Sequence, residues 1–170
     1  PHTVIVYDEL EASEAVRWEW LLHSPTEFKM DATKKTLSTN NKIKGWMAVT
    51  QLFGGHVFTL SQTDRFVVPP AITGAEYPNQ WHLTARVDGC SATRFLAIIQ
   101  VGDEAVPIIN RDGDTFNVGD WTIKAVLDAS KAPELAVSHR TEQAVFSYGT
   151  DNPALNGNFY SRQYTGSSLL

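Results

Sequence analysis

The sequence TVIVYDELEASEAVRWEWLLHS, which runs from Thr3 to Ser24, decides the fold of this chain. It begins with β-branched and aromatic residues, continues with a charged segment, and ends with alternating apolar and polar residues. The apolar positions of that last part are Val16, Trp18, Trp20 and Leu22. Because successive side chains of a strand point to opposite faces, the pattern predicts two strands joined by a charged turn. Two indoles on one face predict a place at the centre of the core.

The rest of the chain predicts more short strands, with turn signals roughly every 8–12 residues, as in β-sandwiches and barrels. Gly54-Gly55 predicts a hairpin turn. Residues 81–87 and 94–101 read as separate strands on either side of Asp88-Gly89, the second of them buried on both faces. Residues 9–17 favour helix by composition but are too few. We predict an all-β fold, an antiparallel β-sandwich of about a dozen short strands, forming a single domain over residues 1–170.

Composition limits the partners of the chain. Its 170 residues carry a net charge of −5, with 42% hydrophobic and 19% charged residues. An acidic balance argues against nucleic acid and against anionic membrane surfaces, which require a concentrated basic face. No apolar run of 18 residues predicts a transmembrane helix. The chain opens inside a strand without an initiator methionine, which predicts a fragment of a longer protein.

The histidines and the single cysteine predict no metal site and no cofactor in this chain. The five histidines form no H-x-H or H-E-x-x-H pair, and one cysteine excludes a zinc site of the thiolate type. His23 and His82 stand out, because each lies on the strand face opposite a tryptophan row. That is also where an ordinary solvent-facing residue lies, and a site assembled from distant strands remains an alternative.

No catalytic residue is predicted either. Asp8, Glu9 and Glu11 carry carboxylates of the kind used in acid–base catalysis, but a solvated turn is the simpler interpretation. Asp112 and Asp114 have calcium-loop spacing, although the glutamate that an EF-hand requires is absent, so we predict a hairpin turn. Serine-hydrolase, phosphate-loop and dinucleotide-binding motifs are also missing from the sequence.

Aromatic residues suggest a sugar-binding surface as one possible role. Trp18, Trp20, Trp81 and Trp121 follow the apolar alternation of their strands, so we predict that they pack in the core. The candidates for a carbohydrate platform are Trp46, at a strand start, together with Tyr77 and Tyr160, near loops or the last strand.

Several segments resemble the C-terminal β-sandwich of the heparinase II/III-like polysaccharide lyases, a group that includes oligoalginate lyases. They are VIVYDELEA, RWEWLLHS, LSTNN, YPNQWHLTA and RFLAIIQV, all within residues 3–101, and the final SSLL is similar to the family's C-terminus. The resemblance implies a parent enzyme that cleaves uronic-acid-containing polysaccharide by β-elimination. It also implies a periplasmic or extracellular location.

The family's catalytic residues lie on an N-terminal toroid and in an H-x-H-like segment that precedes VIVYDE, so none maps onto this chain. We therefore expect a non-catalytic domain whose partners are the toroid and, at the rim of the cleft, acidic polysaccharide. The alternatives are a carbohydrate-binding module with an exposed aromatic platform and a purely structural sandwich.

Overall fold

The fold is all-β in the part of the chain that the structure, a computed structural model, describes. The described residues are 2–31, 33, 36–41, 46–66, 79–102, 106–141, 146–149, 154–155 and 158–159. They form thirteen strands, all antiparallel, and no helix. The predicted all-β, antiparallel, sandwich-like class is confirmed.

The backbone divides into two compact units, Pro1–Val106 and Pro107–Leu170, and each is described by itself. The single domain over residues 1–170 stays a prediction. The strands of the first unit are β1 (His2–Ser24), β2 (Lys29–Asp31), β3 (Thr36–Asn41), β4 (Trp46–Gly54), β5 (Thr59–Thr63) and β6 (Trp81–Gly102). They form one sheet in the order β1-β6-β4-β3-β2, in which β5 also pairs with β6.

Two long neighbouring strands, β1 and β6, are the largest elements of this sheet, where the sequence predicted four short strands. β1 has 23 residues and β6 has 22. They pair from His2 opposite Val101 to Ser24 opposite Trp81. The predicted charged turn is wrong: the register shifts between Glu11 and Val16, but β1 continues along the same partner. β1 lies at the edge of the sheet, whereas β6 pairs with β1, β4 and β5. The predicted place of the β1 tryptophans in the core is met in part, because Trp18 and Trp20 are half-buried against the core cluster.

The predicted hairpin at Gly54-Gly55 is wrong as well. β4 pairs with residues 95–102 of β6, and β5 pairs with residues 82–86 of the same strand, so the chain keeps its direction. Neither glycine has a positive φ. A Cβ on Gly54 would lie 3.0 Å from the ring of Phe58, so the close approach of this aromatic side chain favours glycine there.

The irregular positions of β1 and β6 lie opposite each other in the strand pair, and the sheet folds over on itself at that point. Gly89, in the middle of β6, has φ 73°, and the register of β1 shifts opposite it. Trp20 Nε1 donates a hydrogen bond to Asp8 Oδ2 at 3.0 Å. Twelve residues of straight strand span about 40 Å, so this contact requires β1 to turn back. Strands that switch layers at bulges are typical of orthogonal sandwich packing.

The two halves of the folded sheet share a core. One buried cluster joins Leu52, Phe95 and Ala97 from one half to Ala85 and Val87 from the other. A second cluster brings together Phe28, Leu37 and Leu83. Both faces of β6 are buried from Arg94 to Ile98, as predicted for a fully covered strand.

The second unit is a seven-stranded antiparallel sheet in which consecutive strands are neighbours. Its strands are β7 (Ile109–Asp112), β8 (Thr115–Val118), β9 (Trp121–Ala125), β10 (Leu135–His139), β11 (Phe146–Tyr148), β12 (Ala154–Leu155) and β13 (Asn158–Phe159). The predicted turn at Asp112–Asp114 is confirmed, and a second tight turn, at Gly119-Asp120, joins β8 to β9. Each contains a glycine with positive φ, Gly113 in the first and Gly119 in the second. Phe116, Ile123 and Ala125 are fully buried.

We expect the Trp20–Asp8 hydrogen bond to stabilise the bend. In a double-mutant cycle, Trp20→Phe and Asp8→Ala should show a coupling energy of about 1–2 kcal/mol in urea denaturation, because the bond joins an indole to a carboxylate. Trp18→Phe is the matched control, because Trp18 Nε1 donates to the Cys90 carbonyl oxygen instead. Additive costs for Trp20 and Asp8 would contradict the role.

A pair of glycine substitutions tests the turns of the second unit. Gly149 has φ 78°, and a Cβ there would overlap the backbone of Pro133 and Glu134, whereas Gly113, at φ 57°, has open space around it. Gly113→Ala should cost about 1 kcal/mol from backbone conformation alone. Gly149→Ala should cost at least about 3 kcal/mol, because rigid backbone must move. Equal losses in thermal unfolding would contradict this packing.

Candidate functional site on the outer face of the folded sheet

One half of the folded sheet carries the chemically richest surface of the first unit. It is made by the second half of β1, the first half of β6, and β5, and we call it the outer face. Three cross-strand rows cross it: His23–His82–Thr63, Leu21–Thr84–Ser61 and Glu19–Arg86–Thr59. Because side chains alternate, these residues point away from the buried Leu83, Ala85 and Val87.

Aromatic rings occupy one end of the outer face. The imidazoles of His23 and His82 stack with centroids 4.4 Å apart and planes 17° from parallel. The ring of Phe66 meets His82 edge-on at 5.1 Å. Phe66 is 43% exposed, and Leu21 in the next row is 55% exposed. This end therefore combines flat rings, apolar surface and ring nitrogens.

Four charged side chains, those of Arg17, Glu19, Arg86 and Asp88, occupy the other end. Asp88 accepts hydrogen bonds from Arg86 Nε at 2.9 Å and from Arg17 Nε at 3.2 Å. The Arg86 hydrogen bond is the largest of the effects that hold the pKa of the Asp88 carboxyl below its ordinary value. The same bond raises the pKa of the Arg86 guanidinium. These side chains are solvent-exposed, so the cluster shapes the local field more than the stability.

The inner face of the same strands holds the tryptophans, largely as predicted. Trp18 and Trp20 are half-buried against the cluster around Phe95, and Trp81 packs near Leu83. Trp121 departs from the prediction, because its side chain is 38% exposed. Its strand β9 keeps the apolar alternation, but Trp121 is the first residue of that strand, where the buried face ends.

Among the residues that the structure describes, no contact joins the three predicted carbohydrate-platform residues. Trp46 begins β4, as expected of a strand start, and its side chain lies outside the description. Tyr77 and Tyr160 lie outside the described residues. The platform stays a prediction.

The carboxylates have different positions from those expected. Asp8 is half-buried in β1 and hydrogen-bonded to Trp20, not solvated in a turn, whereas Glu9 and Glu11 are exposed. Within the described ranges, no three His, Cys, Asp or Glu side chains lie close enough together to hold a metal ion. In the same ranges, no helix has the length and apolarity needed to cross a bilayer.

The pairing of His23 with His82 is the feature that the sequence could not show. The alternation of side chains places both on outward faces, but only the register of β1 on β6 sets them directly opposite each other.

Comparison with known proteins identifies no family for this chain, because no family model matches it. No curated protein matches it either.

Removing Arg86 should raise the pKa of Asp88 toward its ordinary value, because the bond that favours the ionised carboxylate is lost. Carboxyl NMR titration of Arg86→Gln should show this rise, with a smaller one for Arg17→Gln. Asp128 is the internal control, since Ser130 is what lowers its pKa most. The Asp88 carboxyl has a lower pKa in the folded chain, so it stabilises the folded state at pH values above its unfolded pKa. That contribution is lost as the pH falls through the folded pKa. An unchanged Asp88 titration in Arg86→Gln would contradict the assignment.

Proposed function

We propose that this chain is a non-catalytic β-sandwich domain of a heparinase II/III-like polysaccharide lyase. Its role is to present a rigid sheet to the catalytic toroid and to line the distal rim of the sugar cleft. The parent enzyme would cleave uronic-acid-containing polysaccharide by β-elimination, in the periplasm or outside the cell.

One observation supports this proposal above others: the resembling segments VIVYDELEA and RWEWLLHS form the two halves of β1. The Asp8 carboxylate of the first segment accepts the hydrogen bond of the Trp20 indole in the second. The residues that carry the resemblance are therefore those that fold the sheet over, and a motif with that task favours a scaffold over a catalytic site. The remaining resembling segments include part of β3, LSTNN, and both ends of β6.

The experiment that tests the proposal begins with the 170-residue chain. It should produce no unsaturated uronate, followed by ultraviolet absorbance, from heparin, heparan sulfate or alginate, and turnover would refute the non-catalytic role. The coding sequence upstream of Pro1 should encode a helical toroid. An unrelated domain there would refute the lyase assignment.

A second candidate, a carbohydrate-binding module, is favoured by the exposed end of β9. The Trp121 indole meets the His139 ring edge-on at 4.8 Å. Arg140 beside it pairs with Asp120, with Nε and Oδ1 3.3 Å apart. An accessible indole next to planar polar groups suits the apolar and hydroxylated faces of a sugar ring.

Tryptophan fluorescence separates the two candidates. In low salt, titration with heparan sulfate or alginate oligosaccharides should leave the emission unchanged if the domain is a scaffold. Saturable quenching that Trp121→Ala abolishes would favour the binding module. Trp18→Phe is the control, because that indole is half-buried in the core.

A further inference from the structure

We propose that His23 and His82 form a two-histidine site for a divalent transition-metal cation of the zinc, nickel and copper class. The site lies at the aromatic end of the outer face. It is independent of the proposed function, because it needs only these two imidazoles and the strand pair that carries them.

Strand register carries the argument. His23 and His82 are directly opposite each other on β1 and β6, and Cβ atoms of such pairs are about 4.5–5.5 Å apart. Both flanking pairs, Leu22 with Leu83 and Ser24 with Trp81, keep the ladder regular on either side. The backbone therefore holds two imidazoles together before any ligand binds, which reduces the entropic cost of chelation.

Hydrogen bonding sets the two imidazoles apart from other histidines of the described residues. Neither ring forms a hydrogen bond with any residue in the part of the chain that the structure describes, whereas His56 Nδ1 lies 3.2 Å from Thr93 Oγ1 and His139 Nδ1 lies 3.1 Å from Thr141 Oγ1. His23 is exposed and His82 is half-buried, so a cation can reach both. Neutral imidazole is a preferred ligand of zinc, copper and nickel.

Binding requires a small change in the rings. Two nitrogens bound to one metal at about 2.0–2.1 Å lie roughly 3 Å apart. The stacked rings, with centroids 4.4 Å apart, must rotate out of their near-parallel arrangement so that two lone pairs converge. His23 is the more exposed of the two, so its ring is the one that rotates. Since no third protein ligand accompanies the pair within the described ranges, water completes the coordination.

The cation is of the transition-metal class for chemical reasons. Magnesium and calcium prefer oxygen ligands, and the neighbouring row offers Leu21, Thr84 and Ser61 but no carboxylate. Nickel is the appropriate probe, because copper also oxidises thiols and Cys90 is a free cysteine.

The test is calorimetric titration of the untagged chain with NiCl₂, with MgCl₂ as the control salt. We expect saturable one-to-one binding of nickel and none of magnesium. His23→Ala and His82→Ala should each weaken it on the order of 100-fold, which is the gain that a second linked contact provides. The double variant should bind little worse than either single variant, because both ligands act as a unit.

Matched controls separate this site from general surface histidines. His56→Ala should leave nickel binding unchanged, as should His2→Ala, which removes an exposed histidine near the amino end of the chain. Unchanged far-ultraviolet circular dichroism and apo melting temperature establish that the variants fold. Nickel should also broaden the Phe66 ring protons, since that ring lies 5.1 Å from His82. Absent binding, or equal loss in the His56 control, would overturn the proposal.

Discussion

The first unit depends on one constraint, which is that the long pair of strands β1 and β6 must bend in order to bury its own apolar face. β1 and β6 are partners in both of their halves, from His2 opposite Val101 to Ser24 opposite Trp81, yet the two halves must also face each other to close a core. A ladder bends that far only where its pairing is interrupted, and the segment between Glu11 and Val16 supplies the interruption in β1. The hydrogen bond from Trp20 to Asp8 then ties the halves together across the fold. The position of β4 and β5 end to end along β6 follows from the same bend.

Sequence periodicity predicted the existence and the faces of most strands, because alternation is a local property. It did not predict their continuity. Glycine and clustered charge mark both a hairpin and a bulge, and the difference lies in the partner strand, which sits far away in the sequence. Asp88-Gly89 therefore read as the end of a strand, although Gly89 is a positive-φ position within one. Trp121 was misplaced for a related reason, since alternation does not show where a buried face ends.

The candidate site was likewise predicted only in part from the sequence. Outward orientation of His23 and His82 was readable from parity, and it singled them out among five histidines. The stacking of His23 on His82 and the bond from Arg17 to Asp88 depend on register between segments about 60 to 70 residues apart. The contact of Phe66 with His82 is also non-local, although these two residues are closer in sequence. The functional groups of this sheet face therefore come from segments that are distant in the sequence. The aromatic and charged ends of the outer face are separated by a row of hydroxyl groups and one leucine.

Pairing β1 with β6 also determines the order of events during synthesis. His2 meets Val101, so the edge strand that frames the unit cannot complete its ladder until a further 99 residues have been made. At roughly 5–20 residues per second, β1 waits several seconds for its partner. Throughout that time TVIVY, a β-prone segment without charge or proline, has no strand partner and is open to pairing with other nascent chains. Four carboxylates follow it, at Asp8, Glu9, Glu11 and Glu14, where charge repulsion opposes such contacts. Glu14 lies in the segment that interrupts the ladder, so the bend of the folded state and the protection of the strand before folding depend on the same stretch of chain.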